Sequence, residues 1–214
     1  MASKHGFGRP HLGRGFPQVS STSFNEAGAD DPYVGMTLLT SFPTAINNAY
    51  WTKSATTVTT GRDDPYGGTT AMALFETATT AVHSVNLPAT VNLANGSTYV
   101  MEAIVKPIVG RWLGFRVFNN DFSLAYAINV NPADGTIGTV VVDDGVNLTL
   151  NETTTAVAVA GGFYRFRLRF TMAIQANLAN VYWAIRTGTS DNATYLGDIT
   201  KGLDFYSLGI YRFF

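Results

Sequence analysis

The sequence predicts an all-β chain, an antiparallel β-sandwich, and three observations lead there. The first is the run 162–172, Gly-Phe-Tyr-Arg-Phe-Arg-Leu-Arg-Phe-Thr-Met. Tyr164, Phe166, Leu168, Phe170 and Met172 fall on one parity, while Arg165, Arg167, Arg169 and Thr171 fall on the other. Successive side chains of a strand point to opposite faces, so this run is a strand with one buried face and one basic, wet face. A helix would scatter the three arginines over about 200° and bury none of the aromatics cleanly. The second observation is repetition: about a dozen such runs follow one another at intervals of roughly 10–15 residues, with no long 3.6-period segment between them. The third is the chemistry of the breaks. Asn95-Gly96, Asp134-Gly135, Gly161-Gly162 and the stretch Gly61-Arg62-Asp63-Asp64-Pro65-Tyr66-Gly67-Gly68 supply the positive φ and side-chain acceptors that tight turns need.

Taken in order, residues 1–32 stand apart. Gly6-Phe7-Gly8-Arg9-Pro10 and Gly13-Arg14-Gly15-Phe16-Pro17 are two similar units, and Lys4, Arg9 and Arg14 precede Glu26, Asp30 and Asp31. Such a segment buries too little apolar surface to offset its ordering entropy. It is either a tail or an extended arm that orders on a partner, with Phe7 and Phe16 as anchors and Arg9 and Arg14 on acidic or backbone acceptors. From residue 33 the expected strands are 34–40, 55–60, 70–76, 80–87, 97–106, 111–118, 121–130, 136–142, 146–150, 162–172, 179–187 and 203–213. Residues 44–50 have room for one short helical turn, and 172–180 reads as a hairpin loop. The strand 203–213 is apolar on both parities and should be central in its sheet.

Composition bounds the rest. The chain has 214 residues, enough for one sizeable domain over 33–214. Charged residues make up 14%, well below the roughly 25% of an average soluble domain, so Thr, Ser, Asn and Gly must cover the surface. A net charge of −1 creates no global field for nucleic acid or an anionic membrane. No cysteine is present, which removes disulfides and thiolate chemistry. Residues 1–30 contain no apolar h-region, so no secretory signal is expected there, and no run of about 18 apolar residues could span a bilayer.

Several tracts, in their order, carry a resemblance. Asn48-Ala49-Tyr50-Trp51-Thr52-Lys53, then Asp64-Pro65-Tyr66-Gly67-Gly68-Thr69-Thr70-Ala71, then Gly96-Ser97-Thr98-Tyr99-Val100, Arg111-Trp112-Leu113, Gly162-Phe163-Tyr164-Arg165-Phe166-Arg167 and Phe205-Tyr206-Ser207-Leu208-Gly209 resemble the jelly-roll, carbohydrate-binding-like domains of bacteriophage structural proteins and modular glycanases. The likeness covers residues 46–211. It implies a jelly-roll sandwich and, with the arm in front, the format of a small phage virion protein. Its expected partners are other virion proteins through the arm, a cell-surface glycan, and further copies of itself in a homo-oligomer. The alternative is a stand-alone carbohydrate-binding module of a polysaccharide-degrading system. Domains of this kind often hold a structural calcium ion; Asp30, Asp31, Asp63 and Asp64 are the oxygen-rich candidates, but their spacing matches no loop motif. No metal or cofactor is expected.

No active site is legible either. His5 and His11 lie in the arm, and His83 stands alone in a strand run, where a hydrogen-bonded or surface role is the ordinary one. Glycoside hydrolysis needs two carboxylates about 5–10 Å apart across a cleft. Asp63-Asp64 and Asp143-Asp144 are adjacent pairs in turn segments, where Asp serves local backbone bonds, and Glu76 and Glu102 are isolated strand residues. Recognition is easier to place. In 111–118, Leu113, Phe115 and Val117 share the core parity, leaving Trp112, Arg116 and Phe118 outward; in 179–187, Val181, Trp183 and Ile185 point inward, leaving Tyr182 and Arg186. Trp51, Tyr99 and Tyr126 belong with the core. If these strands share a sheet with 162–172, then Trp112, Arg116, Arg165, Arg167, Arg169, Tyr182 and Arg186 make one aromatic-and-arginine face. That face would take either a glycan or a neighbouring subunit.

Overall fold

The computed structural model describes residues 33–88, 91, 93–118, 124–143, 148–151, 153–173, 181–189 and 194–214; the proposed arm, residues 1–32, and residues 174–180 of the expected hairpin loop lie outside them. Sixteen strands occur among the described residues, with one 3-10 turn (Ala160–Gly162) and no α-helix. They are β1 (Met36–Leu38), β2 (Thr52–Ser54), β3 (Thr56–Arg62), β4 (Ala71–Glu76), β5 (Thr80–Ala81), β6 (Ser84–Asn86), β7 (Thr98–Pro107) and β8 (Trp112–Phe118). They continue with β9 (Leu124–Val130), β10 (Ile137–Asp143), β11 (Leu148–Leu150), β12 (Thr155–Val159), β13 (Phe163–Met172), β14 (Val181–Arg186), β15 (Tyr195–Leu196) and β16 (Gly202–Phe213).

The pairing is antiparallel throughout. The larger sheet runs β11-β13-β7-β16-β4-β3, with β12 also on β13 and β1 also on β16; the smaller runs β10-β9-β8-β14-β6-β2, and β15-β5 is a two-stranded ribbon. The chain is therefore an all-β antiparallel sandwich, as the alternation predicts. Its core is the facing parity of both sheets: Tyr99, Met101, Phe166, Leu168, Phe170, Leu208 and Ile210 from the larger, and Leu113, Phe115, Val117, Tyr126, Val181, Trp183 and Ile185 from the smaller. Trp51 is buried and meets Trp183 edge-on, ring centroids 5.8 Å apart. β16 lies between β7 and β4, the central position its apolar pattern calls for.

Departures from the expected elements have local causes. The single strand 80–87 divides into β5 and β6 around His83, because β5 leaves to pair with β15 while β6 stays in the smaller sheet. Thr52-Lys53-Ser54, Thr155–Val159 and Tyr195-Leu196 are strands without a strong pattern, made by pairing with β6, β13 and β5 respectively. Residues 42–51 form no helix; three successive bonds, Ala45 N–H to Phe42 O, Asn48 N–H to Ala45 O and Trp51 N–H to Asn48 O, close consecutive turns instead. A satellite apolar cluster of Ala71, Ile104 and Phe163, with Val159 and Tyr206 against it, sits apart from the main core.

Candidate recognition faces

Register decides which outward residues can act together. In the smaller sheet Tyr182 pairs with Arg116, Ala184 with Gly114 and Arg186 with Trp112. Trp112, Tyr182, Arg116 and Arg186 are therefore neighbours on the outer side of β8 and β14, as parity predicts. Phe118 joins them, its ring stacked on Tyr182 at 5.2 Å and 26°. In the larger sheet Arg165, Arg167 and Arg169 pair with Ile104, Glu102 and Val100 of β7. β13 and β8 belong to different sheets, so the single expected face does not form: Arg165, Arg167 and Arg169 line the outer side of the larger sheet, with the whole core between them and Trp112. Parity assigns a side chain to a face of its own sheet; it says nothing about which sheet the strand joins.

Arg186 departs from expectation by being wholly buried, and so does Arg116. Arg116 Nη1 donates to Phe115 O (2.8 Å) and Ile128 O (3.1 Å), and its Nη2 to Asn129 Oδ1 (2.8 Å). Asn129 Nδ2 in turn donates to Gly188 O and Thr189 O at 2.9 and 3.2 Å, tying the segment after β14 over this part of the sheet. Gly114 makes the arrangement fit: a Cβ there would stand 2.9 Å from Arg116 Nη1 and 3.0 Å from Asn129 Oδ1. The accessible portion of this face is thus Trp112, Phe118 and Tyr182, each half-buried. The arginines of β13 are half-buried as well, rather than fully wet. Arg167 Nε donates to Glu102 Oε2 at 2.6 Å, and the Arg169 guanidinium lies 4.2 Å from the centre of the Phe213 ring.

The carboxylates are bound in place. Glu76, fully buried, accepts from Arg111 Nε (2.5 Å) and Tyr195 Oη (2.7 Å) at Oε1, and from Arg111 Nη2 (3.0 Å) and the Asp198 N–H (2.8 Å) at Oε2. It is not an isolated strand residue, and neither is Glu102. Burial would push the Glu76 carboxyl up, but the bonds from Arg111, Asp198 and Tyr195 outweigh it and hold it below the usual range. Tyr195 moves the other way, raised by burial and by its bond to Glu76. Asp64 accepts from the N–H groups of Tyr66 (2.8 Å), Gly68 (3.0 Å) and Thr70 (3.1 Å) and from the Thr70 hydroxyl (2.8 Å). Burial opposes its ionisation, yet these bonds together bring its pKa down to about 2. That is the turn-forming role its position implies, and four N–H and O–H donors already occupy the oxygens a cation would need. Among the described residues no three His, Asp or Glu side chains converge on a common point that could hold a metal; Asp30 and Asp31 lie outside them.

His83 is a buried, hydrogen-bonded residue, its Nδ1 2.7 Å from Ala55 O and its Nε2 3.3 Å from Tyr195 O. The arm residues Phe7, Arg9, Arg14 and Phe16 lie outside the described residues.

One feature of the larger sheet escapes the parity reading. The Asp64 loop presents Tyr66, about half exposed, edge-on to Tyr206 at 5.2 Å, beside the satellite cluster. Buried Asp204 accepts from Arg62 Nε and Nη2 (2.9 and 3.2 Å) and lies 3.8 Å from Lys106 Nζ, which stands 4.7 Å from the centre of the Phe163 ring. The signal was present in Asp64-Pro65-Tyr66-Gly67-Gly68, a tight turn with an aromatic at its tip, but sequence spacing alone does not bring Tyr206 or Lys106 to it.

No family model and no curated protein matches the chain. Among solved structures it is similar to the enzymatically active domain of bacteriophage CBA120 tailspike protein 4, at 14% identity and a TM-score of 0.41, over 76% of this chain and 19% of that one. The chain spans about a fifth of the length of that protein, and a likeness of this size assigns it to no family.

Proposed function

We propose that the chain is a non-enzymatic structural protein of a bacteriophage virion. Residues 1–32 attach it to capsid or tail proteins, and the sandwich is displayed as a homo-oligomer whose Trp112–Tyr182 side meets a glycan or a neighbouring subunit. The observation that carries the non-catalytic reading is the state of its buried carboxylates. A general acid needs a carboxyl that stays protonated near neutral pH, and a nucleophile or base needs a free oxygen facing a cleft. Glu76 and Asp64 are instead driven toward permanent ionisation by saturated hydrogen bonding, and Glu102 and Asp204 are engaged by Arg167 and Arg62. The virion reading is supported by the ordered tracts between Asn48 and Gly209 and by the Gly/Arg/Phe composition of the arm. Deleting residues 2–32 tests it. A virion protein loses attachment to particles while the sandwich keeps its cooperative unfolding; a stand-alone carbohydrate-binding module keeps its glycan affinity and loses nothing.

A further inference from the structure

A strand with a neighbour on one side only offers a row of main-chain donors and acceptors, and folded chains blunt such edges with short strands, lysines or irregular register. β1, β2 and β11 have three residues each, and β2 carries Lys53. β10 is broken by two register shifts along β9, and β11 and β12 divide one edge of the larger sheet between them, each covering part of β13. β3 has none of these devices over Thr56-Thr57-Val58-Thr59, where it keeps an unbroken register on β4. No charge and no proline lies between Ser54 and Gly61, and β4 is the only neighbour of β3 among the described residues. Threonine and valine favour this extended backbone.

The direction of each main-chain group on β3 follows from its neighbours. Thr77 N–H donates to Ala55 O at 3.0 Å, whereas Glu76 N–H turns the other way, to Lys201 O at 3.1 Å. Direction alternates along an antiparallel ladder, so Thr57 and Thr59 bond to β4 while Thr56 and Val58 aim their N–H and C=O groups outward. Both ends of the strand are clamped. Ala55, in the left-handed region at a φ of +48°, turns the chain from β2 of the smaller sheet to β3 of the larger. Its carbonyl also accepts the Thr77 hydroxyl at 3.0 Å and lies 2.7 Å from His83 Nδ1. At the far end Arg62 is held by Asp204. The side chains alternate too: Val58 packs against the main core and is half-buried, while Thr57 and Thr59 are exposed. An edge fixed in this way pairs at little cost in ordering entropy.

What such an edge fits is written in its own sequence. Thr56-Thr57-Val58-Thr59-Thr60 reads alike in both directions about Val58. Antiparallel pairing with a second copy around a two-fold axis at Val58 sets Val58 against Val58, Thr57 against Thr59 and Thr56 against Thr60. Val58, with its main chain outward, exchanges both hydrogen bonds with its counterpart. Thr57 and Thr59 form the close pair beside it, their side chains adjacent on the outer face, a pairing that threonine favours. The absence of charge between Ser54 and Gly61 means that nothing within the strand repels its copy. We propose that β3 is a self-pairing edge, through which two copies of the chain join into a dimer whose larger sheet runs through both. The proposal rests on the homo-oligomer of the function proposed above and names its contact, on the other sheet from Trp112 and Tyr182.

Sedimentation equilibrium of the full chain, with cysteine cross-linking, tests it. The expected result is a reversible dimer. Thr57→Lys with Thr59→Lys sets like charges opposite each other at both exposed pairs and should weaken dimerisation tenfold or more, while the monomer keeps its cooperative unfolding. Thr57→Glu with Thr59→Glu should do the same alone. An equal mixture of the two variants should dimerise again, a rescue that loss of folding cannot produce. The chain has no cysteine, so a single one reports the register. Val58→Cys should give a disulfide-linked dimer on mild oxidation; Thr60→Cys should not, because its counterpart lies too far along the paired strand. A dimer that survives both charged variants overturns the proposal. If that dimer is lost instead in Trp112→Ala, or in Val157→Lys on β12, the contact lies elsewhere and the homo-oligomer stands. Cross-linking through Thr60→Cys but not Val58→Cys overturns the proposal as well. A chain that is monomeric at every concentration overturns it and the homo-oligomer together.

Discussion

Arg111 grips the Glu76 carboxylate with both arms of its guanidinium, Nε on Oε1 and Nη2 on Oε2, across the end of the sandwich where β4 stops and β8 begins. The same carboxylate receives the Tyr195 hydroxyl and the Asp198 N–H, so one buried acid fastens the β15 segment to both β4 and the start of β8. The Arg111 guanidinium also lies 5.6 Å from the centre of the Tyr195 ring. Removing one partner of such a pair leaves an uncompensated buried charge, which is far worse than never having had the pair. Arg111→Ala should therefore cost about 3–5 kcal/mol, measured by urea unfolding. Arg111→Met with Glu76→Gln should recover a large part of it, because the carboxamide needs no cation.

The same acid makes a pH prediction whose sign is determined. A carboxyl held below its unfolded value contributes stability that is complete above the unfolded pKa and disappears as pH falls through the folded one. Glu76 and Asp64 are both of this kind. Stability should be level above about pH 5 and should fall on acidification from there toward about pH 2. Asp64→Asn should flatten the most acidic part of that curve. At neutral pH it should cost about 1–3 kcal/mol, since its amide cannot accept at both ends. An acid limb identical in the wild type and in Asp64→Asn would count against Asp64 being ionised down to low pH.

How much of this was readable beforehand depends on what each feature is made of. β7, β8 and β13 carry their strand assignment in their own alternation, because each strand faces a core on one side and the side-chain period is local, while β16 is marked by an apolar run on both parities. Glu76 could not be read that way: Arg111 lies 35 residues away and Tyr195 119, and nothing in the sequence around any of them marks the meeting. Arg116 is the more instructive case. Its parity correctly turned it from the main core, but its burial comes from Asn129 on the next strand and from the segment at Gly188 and Thr189, a cover that alternation cannot see. The assumption of one shared face failed for the same kind of reason, since strand pairing is a long-range property that a local pattern does not contain.

Gly114 turns the Arg116 cover into a prediction. Gly114→Ala adds one methyl group where Arg116 Nη1 and Asn129 Oδ1 already stand within 3.0 Å of it. The guanidinium would have to leave at least one of Phe115 O, Ile128 O and Asn129 Oδ1, so the substitution should destabilise by about 1–3 kcal/mol despite the gain in strand propensity. A neutral or stabilising Gly114→Ala would mean that Arg116 has another place to go.

β16 should be indispensable. It pairs with β7 over its length and with β4 and β1 on its other edge, and it supplies Leu203, Phe205, Leu208 and Ile210 to the main core. A chain ending at residue 200 would expose the facing edges of β7 and β4 and lose four buried apolar side chains. It should show no cooperative thermal transition; a soluble, cooperatively melting 1–200 fragment would contradict the central role of this strand.

Two tryptophans of adjacent strands in one sheet separate packing from recognition. Trp183 on β14 is completely buried and lies edge-on to Trp51, so Trp183→Ala should cost about 3–5 kcal/mol of folding stability. Trp112 on β8 has the opposite parity to core residues Leu113 and Phe115 and is half-buried, with its ring lying near Gly138 of β10. Trp112→Ala should therefore cost only about 1 kcal/mol. If that side is a contact with a glycan or a neighbouring subunit, the same substitution should weaken the contact by about 1–3 kcal/mol, read as a rise in the dissociation constant for sugar or for self-assembly. A folding loss for Trp112→Ala as large as that for Trp183→Ala would make Trp112 a packing residue of β8 and remove the recognition role from this face. Unchanged stability with unchanged sugar binding and unchanged assembly would remove it equally, because an aromatic anchor that contributes to neither fold nor contact anchors nothing.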